Sequence, residues 1–279
     1  MPPADTVAET LKSADPDRYF ASLVLKPAVR PAVQALYAFN ADLATVRDRA
    51  REPRAGEIRL QWWSDALQGQ GHGAVRQNPL AAALLDAIAA YRLPTVPLLR
   101  MIAARRFDLY DDPMPDIASF EGYAGETAST LYQFTAMMLN DGAPVEPGDA
   151  AGHLGVAHAL VGHLRSFGIH AASGRLFLPW PVFEANGVRE SEIFSGTSSE
   201  GLLAALAQFF DMARGHLRQA EAAIAALPPA LRPAFAVAAL LPGQLAAVEA
   251  QSRAPFALPP DEADWRKIAR LALWTWRRR

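Results

Sequence analysis

Proline placement constrains this chain more than any other feature. Its 279 residues include 22 prolines, set between Ala- and Leu-rich segments whose apolar positions recur at helical spacing. Proline in a helix interior removes a hydrogen bond and clashes with the preceding turn, whereas in the first turn it is tolerated. The prolines therefore cut the chain into helices of ordinary length, and alternating strand patterns are scarce. Asn78-Pro79 reads as an N-cap followed by Pro at the first helical position, and Leu80, Leu84, Ile88 and Tyr91 then form one apolar stripe. Leu93-Pro94 ends that helix. Thr95 can cap the next, whose buried face carries Leu98, Ile102 and Leu109. Further helices are expected over 31–51, 57–67, 119–139, 148–165, 199–226, 230–249 and 261–276, with 171–198 as the longest irregular stretch. Pro228-Pro229 and the prolines of 255–260 separate helices, not domains. An all-α single domain of roughly eight to ten helices follows.

Bulk properties narrow the function. A composition 51% hydrophobic and 20% charged is that of a globular protein with a large core. A net charge of -2 supplies no field for nucleic acid, so no such partner is expected. Cysteine is absent, which excludes disulfides, thiolate metal ligands and a cysteine nucleophile. No apolar run is expected to reach the ~20 residues of a spanning helix; the longest candidate, 233–248, is interrupted by Pro242-Gly243-Gln244. Met1-Pro2-Pro3-Ala4-Asp5 lacks a signal-peptide pattern. The expected location is cytoplasmic, with peripheral contact at the inner membrane. Trp274, Trp276 and Arg277-Arg278-Arg279 suit a lipid surface or a docking partner, although an ordinary basic end has the same composition.

The histidines give little support to a metal. His163 and His170 are seven apart, but Gly168 is expected to break the helix between them, and no H-E-x-x-H pattern occurs. No Ser-His-Asp arrangement or Gly-rich phosphate loop stands out. No cofactor is expected.

Two helical segments carry a resemblance. Tyr37-Ala38-Phe39-Asn40-Ala41-Asp42-Leu43-Ala44-Thr45-Val46-Arg47-Asp48, and the stretch from His153 through Leu164-Arg165-Ser166 to Gly174-Arg175-Leu176-Phe177-Leu178-Pro179, resemble the signature segments of the squalene/phytoene synthase family. Arg30, Gln61-Trp62-Trp63, Asp108-Leu109 and Tyr123-Ala124-Gly125-Glu126-Thr127-Ala128 fall in the family's order, so that the likeness spans about 17–250. It implies an isoprenoid-synthase-like helical bundle around a central cavity over 17–279, preceded by an N-terminal extension, 1–16. In that family, aspartates one helical turn apart share a face and hold Mg²⁺ against a substrate diphosphate. Here the first acidic cluster falls on Ala44, Thr45 and Asp48, and the second on Ser166 and His170. Asp42 lies about 240° around the helix from Asp48 and points elsewhere. Glu52 precedes Pro53 at a helix end.

Asp48 is thus the vestigial catalytic candidate, with an ion pair to Arg47 or Arg49 as the plainer reading, and no metal site is expected. Arg30, Tyr37, Gln61, Trp62, Arg165 and Arg175 are the ligand-binding candidates. Arg165 and Arg175 suit a phosphate or lipid headgroup, or structural pairing with Asp108 or Glu126. Trp62, Trp63 and Phe39 suit an isoprenoid pocket or a packed core.

Within the family, the likeness is greatest to the NADH:ubiquinone oxidoreductase (respiratory complex I) assembly factor 6 branch. It is carried by Ala38-Phe39-Asn40 with Asp48, Arg59-Leu60-Gln61-Trp62-Trp63, His153-Leu154-Gly155 and Phe177-Leu178-Pro179. This likeness implies a pseudoenzyme that assists complex I assembly. Its partner would be a complex I subunit or assembly intermediate, with an isoprenoid or lipid as ligand. The alternative is a prenyltransferase condensing two prenyl diphosphates head-to-head, and Mg²⁺ is expected under that alternative alone.

Overall fold

A computed structural model describes residues 3–50, 52–71 and 73–278. Among the described residues there are sixteen α-helices and no strand. The helices are α1 (Pro3–Ala14), α2 (Pro16–Ser22), α3 (Arg30–Ala44), α4 (Val46–Arg49), α5 (Pro53–Leu67), α6 (Pro79–Tyr91), α7 (Thr95–Arg105) and α8 (Ile117–Ala124). They continue as α9 (Thr130–Leu139), α10 (Gly148–Arg165), α11 (Phe167–Ala172), α12 (Trp180–Ala185), α13 (Glu190–Phe194), α14 (Glu200–Ala226), α15 (Leu241–Ala250) and α16 (Asp264–Arg277).

Local chemistry explains the boundaries. The Asn78 side chain accepts from the backbone N–H groups of Leu80 and Ala81 at 3.0 and 3.2 Å, and Ser199 Oγ accepts from Leu202 N at 3.2 Å. Such caps contribute ~1 kcal/mol each. Pro53 and Pro79 stand in first turns, where their missing N–H is harmless. Thr95 is the first residue of α7, and Pro94 is its cap.

Several expected spans are subdivided, which raises the helix count. The stretch 31–51 becomes α3 and α4, divided at Thr45. There Thr45 Oγ1 donates back to Ala41 O and Asp42 O at 3.0 and 3.1 Å, a local bond that competes with helix continuation. The span 119–139 holds a π-turn, Gly125–Ser129, between α8 and α9. α10 passes so close to this turn that a Cβ at Gly155 would collide with Ser129. The stretch 230–249 is a 3-10 segment, Arg232–Ala239, followed by α15. The supposedly irregular 171–198 contains α12 and α13. The break between His163 and His170 falls at Ser166, and Gly168 lies inside α11.

Two apolar clusters form the core. One gathers on α10 and α14 with Phe183 and Phe235, and the other on α3, α5, α6 and α7 around Phe39, Trp63 and Met101. α1 packs against α3 and α6 with Val7 and Leu11 buried. The stretch Arg232–Ala250 is long and apolar enough to cross a membrane by length and composition. Within the fold it bends at Phe235 and packs against α9, α10 and α14. Tyr123 and Tyr132 from one cluster and Tyr37 from the other face a polar interior.

Candidate functional site: an interior of arginine–carboxylate pairs

The rim of this interior holds Asp48 from α4 and Arg175, which follows α11 through a turn at Gly174 (φ +69°). Asp48 Oδ1 forms an ion pair with Arg175 Nη2 at 3.1 Å. The His170 imidazole beside them is pushed down to about 4, first by burial and then by Arg175, with Asp48 opposing. Below it, the His163 and His170 rings lie 5.5 Å apart. Phe177 stacks on His163 at 4.9 Å and meets His170 edge-on at 4.7 Å. Burial, His170 and Arg105 together hold His163 well below the ordinary imidazole range. Aromatic rings thus pack on one another beneath the rim pair.

Deeper in, Arg105 closes α7 and Asp108 sits one turn on. Arg105 Nη1 donates to Asp108 Oδ2 at 3.0 Å and to Tyr123 Oη at 2.7 Å, and Nη2 donates to Asn40 Oδ1 at 3.1 Å. Tyr123 Oη in turn donates to Asp108 Oδ1 at 2.8 Å. Burial raises the Asp108 carboxyl, and Arg105 and Tyr123 oppose that rise without cancelling it.

The innermost group is built on Arg18 of α2. Its Nη1 donates to Asp15 Oδ2 at 2.6 Å, and Nη2 lies 3.4 Å from His158 Nδ1. Tyr132 Oη is 2.5 Å from the same Nδ1. Thr135 Oγ1 donates to Tyr37 Oη at 3.2 Å. Arg18 is 8% exposed. Burial opposes its charge, but Asp15, Tyr132 and Tyr37 outweigh burial and hold the guanidinium protonated. Burial, followed by Arg18, depresses His158 well below the usual imidazole value.

Asp15, Asp108 and Asp48 are therefore each held by an arginine. Both oxygens of Asp15 and of Asp108 accept hydrogen bonds, while the exposed Asp48 meets one arginine alone. Mg²⁺ needs near-octahedral oxygen ligands, with carboxylates among them. At the family's acidic positions stand Ala44, with no donor atom, Thr45, whose hydroxyl is turned onto its own helix, Ser166 and His170. Among the described residues no three His, Cys, Asp or Glu side chains gather as a metal site. These residues do not fit a magnesium–diphosphate cage.

The expected site residues separate into two groups. Asp48 and Arg175 meet at the rim, and Tyr37 lies at the inner end. Arg30 instead donates to Leu23 O and Leu25 O at 3.0 and 3.1 Å, tying down a turn. Gln61 bonds Asp65 and Arg106 on the surface. Trp62 packs edge-on against Trp63 and lines an outer cleft with Ile58 and Arg59. Arg165 pairs with Asp17 and Asp261, not with Asp108 or Glu126. Asp48 does not pair with Arg47 or Arg49, which reach Asp111 and Asp42. Asp42 is engaged elsewhere, pairing with Arg49 and Arg59 and accepting from Trp63 Nε1 at 2.8 Å. Phe39 and Trp63 are core residues. Arg18, Arg105, His158 and Tyr132 escaped sequence reasoning, and the local signal for two of them is Asp-x-x-Arg at 15–18 and Arg-x-x-Asp at 105–108.

The architecture places the chain first in a structural class. A dehydrosqualene synthase solved in complex with ligand superposes with a TM-score of 0.81 at 20% identity, covering 97% of this chain and 94% of that one. The fold is thus the all-α isoprenoid-synthase-like bundle. The squalene/phytoene synthase family model matches residues 11–274, and the chain belongs to that family. Within it, the NADH dehydrogenase (ubiquinone) complex I assembly factor 6 of Rattus norvegicus is 29% identical over 227 residues, 81% of this chain and 68% of the relative. The 15-cis-phytoene synthase of Synechocystis is 27% identical over 246 residues, 84% of this chain and 73% of the relative.

Proposed function

We propose that this protein acts in the assembly of respiratory complex I and that its interior does not carry out head-to-head prenyl diphosphate condensation. The observation that carries this reading is that the interior carboxylates Asp15 and Asp108 are each held by an arginine and that the rim carboxylate Asp48 faces a third. Ionising an allylic diphosphate requires concentrated positive charge on the leaving group, supplied in this family by carboxylate-bound Mg²⁺. Here the positive charge belongs to the protein and is already neutralised. The likeness to assembly factor 6 points the same way. The proposed partner is a complex I subunit or assembly intermediate.

Purified protein given farnesyl or geranylgeranyl diphosphate with Mg²⁺ is expected to release no squalene- or phytoene-like product. Deleting the gene is expected to lower complex I activity and leave carotenoid and hopanoid content unchanged. Product formation in vitro, or the opposite deletion phenotype, would establish the prenyltransferase reading instead.

A further inference from the structure

Helix α16 has two apolar faces, and the fold uses one of them. The buried face carries Lys267, Leu271 and Trp274. It is locked down by Lys267 Nζ, which pairs with Asp17 at 2.9 Å and donates to Asp261 at 3.1 Å, and by Arg278, which pairs with Glu221 and lies 4.3 Å over the Trp274 ring. The helix is therefore anchored without its other side. At 100° per residue, Trp265, Ile268, Ala269, Ala272, Leu273 and Trp276 share an arc of about 140° facing away from that anchor. Trp265 is 66% and Trp276 69% exposed. They stand some ~16 Å apart along the axis. Ile268 and Trp276 continue into an apolar groove of about 400 Å³ completed by Phe20, Leu23 and Val24 of α2 and the turn after it.

Beside this stripe runs a row of like charge. Arg266, Arg270 and Arg277 occupy the next ~40° of the helix surface. Arg270 pairs with Glu262, while Arg266 and Arg277 make no ion pair among the described residues. Arg266 lies instead over the Trp265 ring at 5.2 Å. The whole chain is net negative, so this row is a local concentration and not a reflection of overall charge.

We propose that the outward face of α16, with the adjoining α2 groove, docks on an anionic lipid bilayer. Such a surface presents phosphates and hydrocarbon in neighbouring planes. A helix lying parallel to it satisfies both when tryptophans mark its apolar side and arginines flank them. An opposing protein surface would have to supply a matching acidic row beside an apolar trough, and a second copy of this chain brings arginines instead.

The test is co-sedimentation of the full chain with vesicles. Binding is expected to phosphatidylcholine vesicles containing phosphatidylglycerol, and to be at least several-fold weaker to phosphatidylcholine alone. R266Q/R277Q is expected to lower partitioning roughly thirtyfold, since each unpaired surface cation is worth about 1 kcal/mol against anionic lipid. W265S/W276S is expected to lower it at least about tenfold, with the circular dichroism spectrum and melting temperature of each variant matching the wild type. Failure of the wild type to bind the anionic vesicles would overturn the proposal, as would equal binding by wild type and folded variants. A concentration-dependent dimer that W265S/W276S abolishes, with no vesicle binding, would assign the face to a second copy.

Discussion

Two arginine–carboxylate pairs place the same chemistry in different surroundings. Asp108 with Arg105 lies inside, its side chain 9% exposed and both oxygens accepting hydrogen bonds. Asp48 with Arg175 lies at the rim, its side chain 58% exposed and held by one arginine. The inner pair is part of the packing, because a charge left alone there has no water to turn to. The outer pair can separate into solvent at little loss. Of the two pairs, the one at the position that the resemblance assigns to a family acid is thus the one the fold depends on less.

Breaking the inner pair gives the largest expected effect. Asp108→Ala leaves the Arg105 guanidinium buried with Asn40 and Tyr123 as its remaining partners. A loss of about 3–5 kcal/mol is expected, read from urea unfolding near neutral pH. A loss below about 1 kcal/mol would mean that water reaches this interior, and the contrast between the two pairs would collapse.

Acid titrates the histidines of this interior. His158, His163 and His170 are all held neutral by burial and neighbouring cations. Neutral imidazole is favoured in the folded chain, so the unfolded chain binds protons first as the pH falls. Stability is then complete above the unfolded value near 6.5 and declines below it, for His170 down through about 4. Each such histidine contributes a slope of up to about 1.4 kcal/mol per pH unit in that window. Urea midpoints at pH 7.5 and 5.5 measure it, and His170→Asn is expected to remove one increment of the difference. Identical pH dependence in wild type and His170→Asn would place that ring in solvent.

Much of the fold could be read from local chemistry. α10 matches its expected span at both ends, because Pro147-Gly148 admits a start and Ser166 leaves helical geometry. Asn78-Pro79 starts α6 as its cap chemistry dictates. Asp42 and Asp48 do take different partners, but the helix breaks at Thr45 between them, so a continuous helical angle is not the reason. Pairings across the sequence were less accessible. Arg47 and Arg49 flank Asp48, yet each lies on a part of α4 that faces another acid, and Arg175 reaches Asp48 only because α11 and its turn fold over the rim. Arg18 and His158 meet through packing of α2 on the bundle, for which no spacing rule exists. The π-turn at Gly125–Ser129 records the close approach of α10 at Gly155, a tertiary demand with no signature in its own residues.

The smallest expected effect comes from Asp48→Ala. An exposed carboxylate in a single ion pair contributes ~0–1 kcal/mol, and Arg175, freed of it, can turn to water. Unfolding midpoints of wild type and Asp48→Ala are therefore expected to differ by less than about 1 kcal/mol. Calorimetric titration with Mg²⁺ sharpens the result, because a residual ligand and a surface ion pair behave differently. If Asp48 still served a metal, its removal would abolish a saturable Mg²⁺ heat seen in the wild type. With Asp48 alone at this rim beside Arg175 and Thr45 turned back on α3, wild type and variant are expected to give the same flat titration. A saturable wild-type signal lost on Asp48→Ala would show that the arginine yields to the metal and would return this chain to the catalytic members of its family.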